Sequence, residues 1–154
     1  MIGSERGIAL AIAVFALAVI GALVGSIFFL GRLEQQSGQN AIFAVQAAEV
    51  AEAGLSDAVA TIAAATLEGL PVGGAPLDIG TLTLAGGVRA SRQVTRLTGS
   101  LFLIGVRGVR YSVAGTALAE RSLGLLVRLG PPSDTAADSG RVARLGGRGW
   151  VQLY

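Results

Sequence analysis

From Ile8 to Gly31 the chain runs for 24 residues without a charge, and that run limits what the rest can be. Its first 23 residues, Ile8–Leu30, are Ile, Ala, Leu, Val, Phe, Gly and a single Ser. A bilayer core takes about 20 consecutive apolar residues in a helix, so the segment is long enough to span one. A soluble globule would have to enclose such a helix on every side, and the Arg- and Gly-rich remainder is too short for that. A secretory signal has an apolar region of about 7–15 residues ending in a small-x-small site. This run is longer, which predicts that it stays in the mature protein. Arg6 with the terminal amine on one flank and Arg32 on the other leave the positive-inside rule with no preferred orientation.

The length, 154 residues, allows one small domain plus an extended element. The chain has no Cys, His or Lys. That excludes disulfides, thiol nucleophiles, imidazole bases, Schiff-base lysines and zinc sites built from Cys or His. Ser, Asp and Glu are present, but no spacing sets a nucleophile beside a base or pairs two carboxylates in a cleft. The expectation is a non-enzymatic protein without cofactor or metal.

Beyond Gly31 the sequence "RLEQQSGQNAIFAVQAAEVAEAGLSDAVATIAAATLEG" is rich in Ala, Glu, Gln and Leu, and stops short of Gly69 and Pro71. It predicts an amphipathic extension of the same helix over residues 31–68. A single helix from Ile8 to Thr66 would be about 88 Å long at 1.5 Å per residue. Leu33, Ala41, Ala44, Val45, Ala48, Ala51, Leu55, Val59 and Ile62 recur at spacings of three and four, opposite Glu34, Gln39, Gln46 and Glu49. Ala dominates this stripe, which suits packing on a small sheet better than a coiled-coil seam. Gly21, Gly25, Gly31, Gly38 and Gly54 each weaken the helix by about 1 kcal/mol relative to Ala, marking them as hinges or close-approach sites.

From Leu77 the composition turns to Leu and β-branched residues broken by Gly, predicting an antiparallel head over residues 77–129. Four strands are expected, at Thr81–Ala85, Val88–Leu97, Leu101–Ala114 and Ala117–Leu129. Turns fall at Gly86-Gly87, Thr98-Gly99 and Gly115-Thr116. Phe102, Ile104 and Val106 alternate, then Val109, Tyr111 and Val113 alternate in the other phase, predicting a bulge or second turn at Arg107-Gly108. Leu123, Leu125, Val127 and Leu129 complete the apolar face. The fold class is therefore α+β, a long N-terminal helix packed on a small antiparallel meander in two layers. Residues 130–154 read as loop or tail, with "WVQLY" as a possible short strand, and Trp150 and Tyr154 are expected to pack within the chain.

Charge is unevenly placed. Residues 1–68 hold two Arg against six acids, and residues 69–154 hold ten Arg against four. Arg89, Arg92, Arg96, Arg107, Arg110, Arg121 and Arg128 are expected on the outer face or rim of the sheet. The first five of them are candidate contacts for DNA or another anionic surface.

This order of short charged leader, apolar helix, amphipathic helix and meander resembles that of type IV pilin-like proteins, most closely the PilX-like minor pilins. The match is carried along residues 1–129 by the architecture and locally by "RGIALAIAVFALAVIGAL" and "AVQAAEVAEAGLSDAV". The resemblance implies that residues 1–7 form a cytoplasmic leader cut between Gly7 and Ile8 by a prepilin peptidase, with N-methylation of Ile8. It implies an inner-membrane location before assembly, an assembly platform, and other pilin subunits as partners packed helix to helix on the cell surface or in a periplasmic pseudopilus. In major pilins the fifth mature position is a Glu whose carboxylate meets a neighbour's terminal amine. Here it is Ile12, which points to a minor or tip subunit, or to a type II secretion pseudopilin. The alternative is a membrane-anchored binding module with an Arg-rich β domain, outside any filament.

Overall fold

The computed structural model describes the backbone of residues 3–131, 142–146 and 149–153, with side chains from Ile8 to Val151 within those ranges. The chain divides into two units, Met1–Gln39 and Asn40–Tyr154. A single helix, α1 (Gly3–Thr61), supplies the first unit and enters the second. It is followed by the short helix α2 (Ala64–Glu68) and by β1 (Leu77–Leu84), β2 (Val88–Arg96), β3 (Leu101–Tyr111), β4 (Ala117–Leu129), β5 (Val142–Arg144) and β6 (Trp150–Leu153). The class is α+β, with the helix packed on an antiparallel sheet. The sheet order is β1-β2-β3-β4-β5, with β6 also paired to β4.

Within Asn40–Tyr154 the core lies between α1 and one face of the sheet. Val50, Ala51, Leu55, Ala58 and Ile62 of the helix, with Leu67 of α2, meet Ala90, Val94, Phe102, Ile104, Val106, Leu125, Val127 and Val142. The buried arc of α1 is thus rotated from the predicted stripe, towards Ala47, Val50 and Ala58. Leu33, Ala41 and Val45 are exposed. Spacing alone cannot show where the sheet begins to cover the helix, which here is at Ala47.

The predicted helix end also shifts. Ala63 is extended, at φ −74° and ψ 139°, so α1 stops at Thr61 rather than running to Thr66. Ala-rich sequence favours continuing, but a bend at this point sends Ile62, Ala64 and Leu67 into the interior together. Thr61 Oγ1 donates to the Asp57 carbonyl, a back-bond of the kind that bends helices.

In the sheet, β4 has the expected bounds and Gly86 and Gly87 both take positive φ at the first hairpin. Strand β1 starts earlier than expected, at Leu77. The "DIG" stretch ahead of the expected start at Thr81 is a bulged part of the strand: the register slips between Asp78 and Thr81, Gly80 sits at φ 93°, and its N–H donates to Asp78 Oδ1 at 2.7 Å. β3 ends at Tyr111 rather than Ala114 because Ser112 N–H already turns back to the Thr116 carbonyl at 2.8 Å. The tail contributes β5, which was not expected, and β6 within "WVQLY". Trp150 is 54% exposed rather than packed away. The remaining readings of the tail, including Tyr154, lie outside the described residues.

No bulge or turn occurs at Arg107-Gly108. Those residues pair in unbroken register with Ser122 and Arg121. Even-numbered residues of β3 face the helix throughout, and Gly108 takes one of these slots. A Cβ there would overlap the Ala47 carbonyl and stand 2.9 Å from Ala51 Cβ. The apparent change of phase is a missing side chain where the helix backbone leaves no room for a Cβ. Gly54 does the same from the helix side, its absent Cβ lying 2.8 Å from Ala90 Cβ and 2.9 Å from Val106 Cγ1. The close-approach expectation thus holds for Gly54, whereas a Cβ at Gly21, Gly25, Gly31 or Gly38 would meet nothing within 4 Å.

Candidate functional site

The apolar run is the first candidate surface. Every residue from Ile8 to Ile42 is exposed, including Phe15 at 71% and Phe28 at 72%. At 1.5 Å per residue, Ile8–Leu30 spans about 35 Å, against a hydrocarbon core of about 30 Å. Soluble monomers rarely leave more than a few hundred Å² of contiguous apolar surface open to water. A helix apolar on all sides exceeds that, so this one is suited by length and composition to cross a membrane. Ile8 and Ile12 lie on it, both exposed. Gly7 falls within α1, and its surroundings are outside the described side chains.

The second candidate is the set of Arg side chains, and the structure divides it. Arg92, Arg96 and Arg110, expected with the others largely on the outer face or rim, occupy helix-facing positions of β2 and β3, Arg96 and Arg110 at or next to strand ends, because each falls an even number of residues from a core position: Val94 in β2, Val106 in β3. Arg92, only 13% exposed at its side chain, forms an ion pair with Asp57 of α1. It also donates to the carbonyls of Ile79 at 3.2 Å and Gly80 at 3.3 Å. It therefore ties α1 to the bulge of β1. Arg96 collects the carbonyls of Glu68 at 3.0 Å, Leu70 at 2.8 Å and Gly99 at 2.6 Å, closing the end of α2 onto the β2–β3 loop. Arg110 donates to Gln46 Oε1 at 2.8 Å, to the Tyr111 carbonyl at 2.7 Å and to the Gly86 carbonyl, and it lies 5.9 Å from the Phe43 ring. Arg92 and Arg110 thus clasp α1 to the sheet, and Arg96 ties the end of α2 to it.

Arg89 and Arg107 are on the outer face. Arg89 stacks 5.5 Å over the Tyr111 ring. Arg107 makes a two-pronged pair with Glu120, Nε to Oε1 at 2.5 Å and Nη2 to Oε2 at 2.6 Å. The hydrogen bond from Arg107 holds the Glu120 carboxyl below its ordinary range, and the same bond raises the Arg107 guanidinium. An open depression of about 490 Å³ beside this pair is lined by Asp78, Ser91, Gln93, Gly105, Arg107 and Ser122. Sequence reasoning identified these arginines but not their partners. Asp57 and Gln46 stand eleven residues apart on α1, three helical turns, which could have flagged them as two teeth of one clasp.

Compared with known proteins, the chain matches no family model, no curated protein and no solved structure.

Proposed function

We propose that the chain is a structural subunit of a type IV pilus-like filament, a minor pilin acting in pilus assembly or at the tip. The observation that carries this reading is the build of α1, whose N-terminal part is exposed and apolar on all sides while its C-terminal part is packed on the sheet. In this reading Ile8–Leu30 sits in the inner membrane until the subunit is extracted, and then packs among equivalent helices. Lipid tails and Leu side chains are equally apolar, so the exchange is decided by packing rather than by water. Gly21 and Gly25, with open space where a Cβ would lie, let a neighbouring helix approach closely.

Cleavage after Gly7 removes Glu5 and Arg6 and leaves Ile8 as the new apolar terminus. With Ile12 at the fifth mature position there is no carboxylate to pair with a neighbour's amine in an apolar core, where an unpaired charge costs several kcal/mol by order of magnitude. This fits a subunit present in few copies. A free-standing anion-binding module draws less support, since Arg92, Arg96 and Arg110 already spend their donors within the chain.

A Gly7→Leu variant tests the reading in the producing cell. The expected result is an uncleaved chain retained in the membrane and missing from sheared filaments. Cleaved, filament-associated protein in that variant would overturn the proposal.

A further inference from the structure

The two edges of the sheet are treated differently. The far edge of β4 is paired by β6 and β5, whereas among the described residues nothing pairs with the outer edge of β1. An edge strand shows a row of unpaired N–H and C=O groups, and proteins usually guard it with a charge, a Pro or a bulge. The first half of β1 is guarded in this way. Asp78 is charged, the register slips at the bulge, and Arg92 occupies the carbonyls of Ile79 and Gly80. The second half, Thr81–Leu84, reads "TLTL", without charge or Pro, and pairs in unbroken register with Ser91–Val88.

The helix-facing side of β1 is incompletely covered. Leu77 and Leu82 stand opposite the buried Val94 and Ala90, and Leu84 stands opposite Val88. Yet Leu77 and Leu84 are exposed, and Ile79 and Leu82 are half-buried. α1 packs over β2 and β3, where Gly54 meets Ala90 and Val106, and leaves two hollows between itself and β1. One, of about 470 Å³, is lined by Gln46, Glu49 and Ala53 of α1 and by Leu84, Ala85 and Val88. The other, of about 240 Å³, is lined by Thr61, Thr66 and Ile79. The Asp57–Arg92 pair stands between them. Ile79 and Leu84 are five residues apart, but one of these is the bulge's extra residue. A strand added to β1 would therefore pass from one hollow to the other in about four residues, roughly 14 Å. Four is even, so residues i and i+4 of that strand share a face.

The larger hollow has an acidic rim. Glu49, with Glu52 one turn on, is exposed, and neither carboxylate has an ion pair among the described residues. Arg110 in the same hollow turns its Nε and Nη1 to oxygens of Gln46, Gly86 and Tyr111.

We propose that the free edge of β1 accepts an extended segment of a partner protein as an added strand, main chain to main chain along Thr81–Leu84. Apolar side chains at i and i+4 of that segment fill the two hollows, and a Lys or Arg at the Leu84 end meets Glu49. The site lies wholly within Asn40–Tyr154 and is independent of how the apolar run is used.

The test uses random eight-residue peptides displayed on phage and selected on the full chain in mild detergent, followed by synthetic copies of the enriched peptides. The expected peptides are apolar at i and i+4 and carry a basic residue. Their binding slows hydrogen exchange at Thr81–Leu84. Leu84→Lys, at an exposed position that leaves the melt unchanged, weakens them about tenfold or more. Glu49→Lys weakens them about two- to fivefold, and replacing the peptide's basic residue with Glu recovers the loss. N-methylation of alternate peptide amides abolishes binding on one strand edge and spares it on the other. No enrichment, enriched peptides that bind Leu84→Lys as well as wild type, or equal loss from both N-methylated sets overturns the proposal. Protection of Thr81–Leu84 without peptide that falls on dilution of the protein assigns the edge to a second copy of the chain, which also overturns it.

Discussion

Replacing Gly108 with Ala adds one methyl group where the sheet has no room for it. The new Cβ would overlap the Ala47 carbonyl oxygen and stand 2.9 Å from both the Cβ and the backbone N of Ala51. These are helix backbone atoms and a methyl group, none of which can rotate aside, so the helix itself must withdraw. A retreat of roughly 0.5–1 Å forfeits a quarter to a half of the dispersion attraction across the gap. Val50, Ala51, Leu55 and Ala58 would all bear that loss, since they are packed on the same face. Overpacking of this kind costs about 1–3 kcal/mol. For a unit of this size that corresponds to a fall in melting temperature of about 4–12 °C. The assay is thermal unfolding of the full chain in mild detergent, followed by circular dichroism, with hydrogen exchange reporting on β2 and β3. Gly38→Ala, where a Cβ meets open space, serves as control and should leave the sheet unit's transition in place. A Gly108→Ala protein that melts at or above the wild-type temperature would refute the close-approach account.

Gly54→Ala opposes two terms, a gain of about 1 kcal/mol in helix propensity and new contacts at 2.8 Å to Ala90 and 2.9 Å to Val106. It should be destabilising, but less so than Gly108→Ala, and Ala90→Gly in the same chain should recover part of the loss in thermal melts. Arg92→Met removes the Asp57 pair and the donors to Ile79 and Gly80, for an expected loss of about 1–3 kcal/mol in denaturant unfolding. A double-mutant cycle with Asp57→Asn should show coupling, and strict additivity would count against the clasp. Glu120 is lowered from its ordinary value of 4.5 by the hydrogen bond from Arg107. Its contribution is therefore fully present above that ordinary value and is lost as pH falls through the lowered one. Because the pair is exposed the effect is small, and the stability difference between wild type and Glu120→Gln should shrink as the pH of a melt is taken below 4.5.

Much of this arrangement is legible one residue at a time, and its failures share a cause. The apolar run, the Gly86-Gly87 turn and the bounds of β4 each depend on local chemistry, namely an uncharged stretch, two residues that accept positive φ, and an apolar alternation bounded by turn residues. The break after Thr61, the rotation of the buried arc and the inward Arg side chains depend on what lies across the interface. Ala at positions 63 to 65 favours helix whether or not Leu67 has a core to reach. Arg92 and Arg110 read as surface residues because charge suits water, yet their strand parity matches that of Val94 and Val106, and Asp57 and Gln46 wait opposite them. At Gly108 the missing side chain imitates a change of phase. Parity, followed strictly through the glycine, would have placed both the guanidiniums and the approach point.

The most direct measurement is the intact mass of the protein isolated from the membranes of the cells that produce it. The account predicts a chain beginning at Ile8, lighter by residues 1–7 and heavier by one methyl group. A chain that retains Met1 through Gly7 while its filament assembles normally would contradict it.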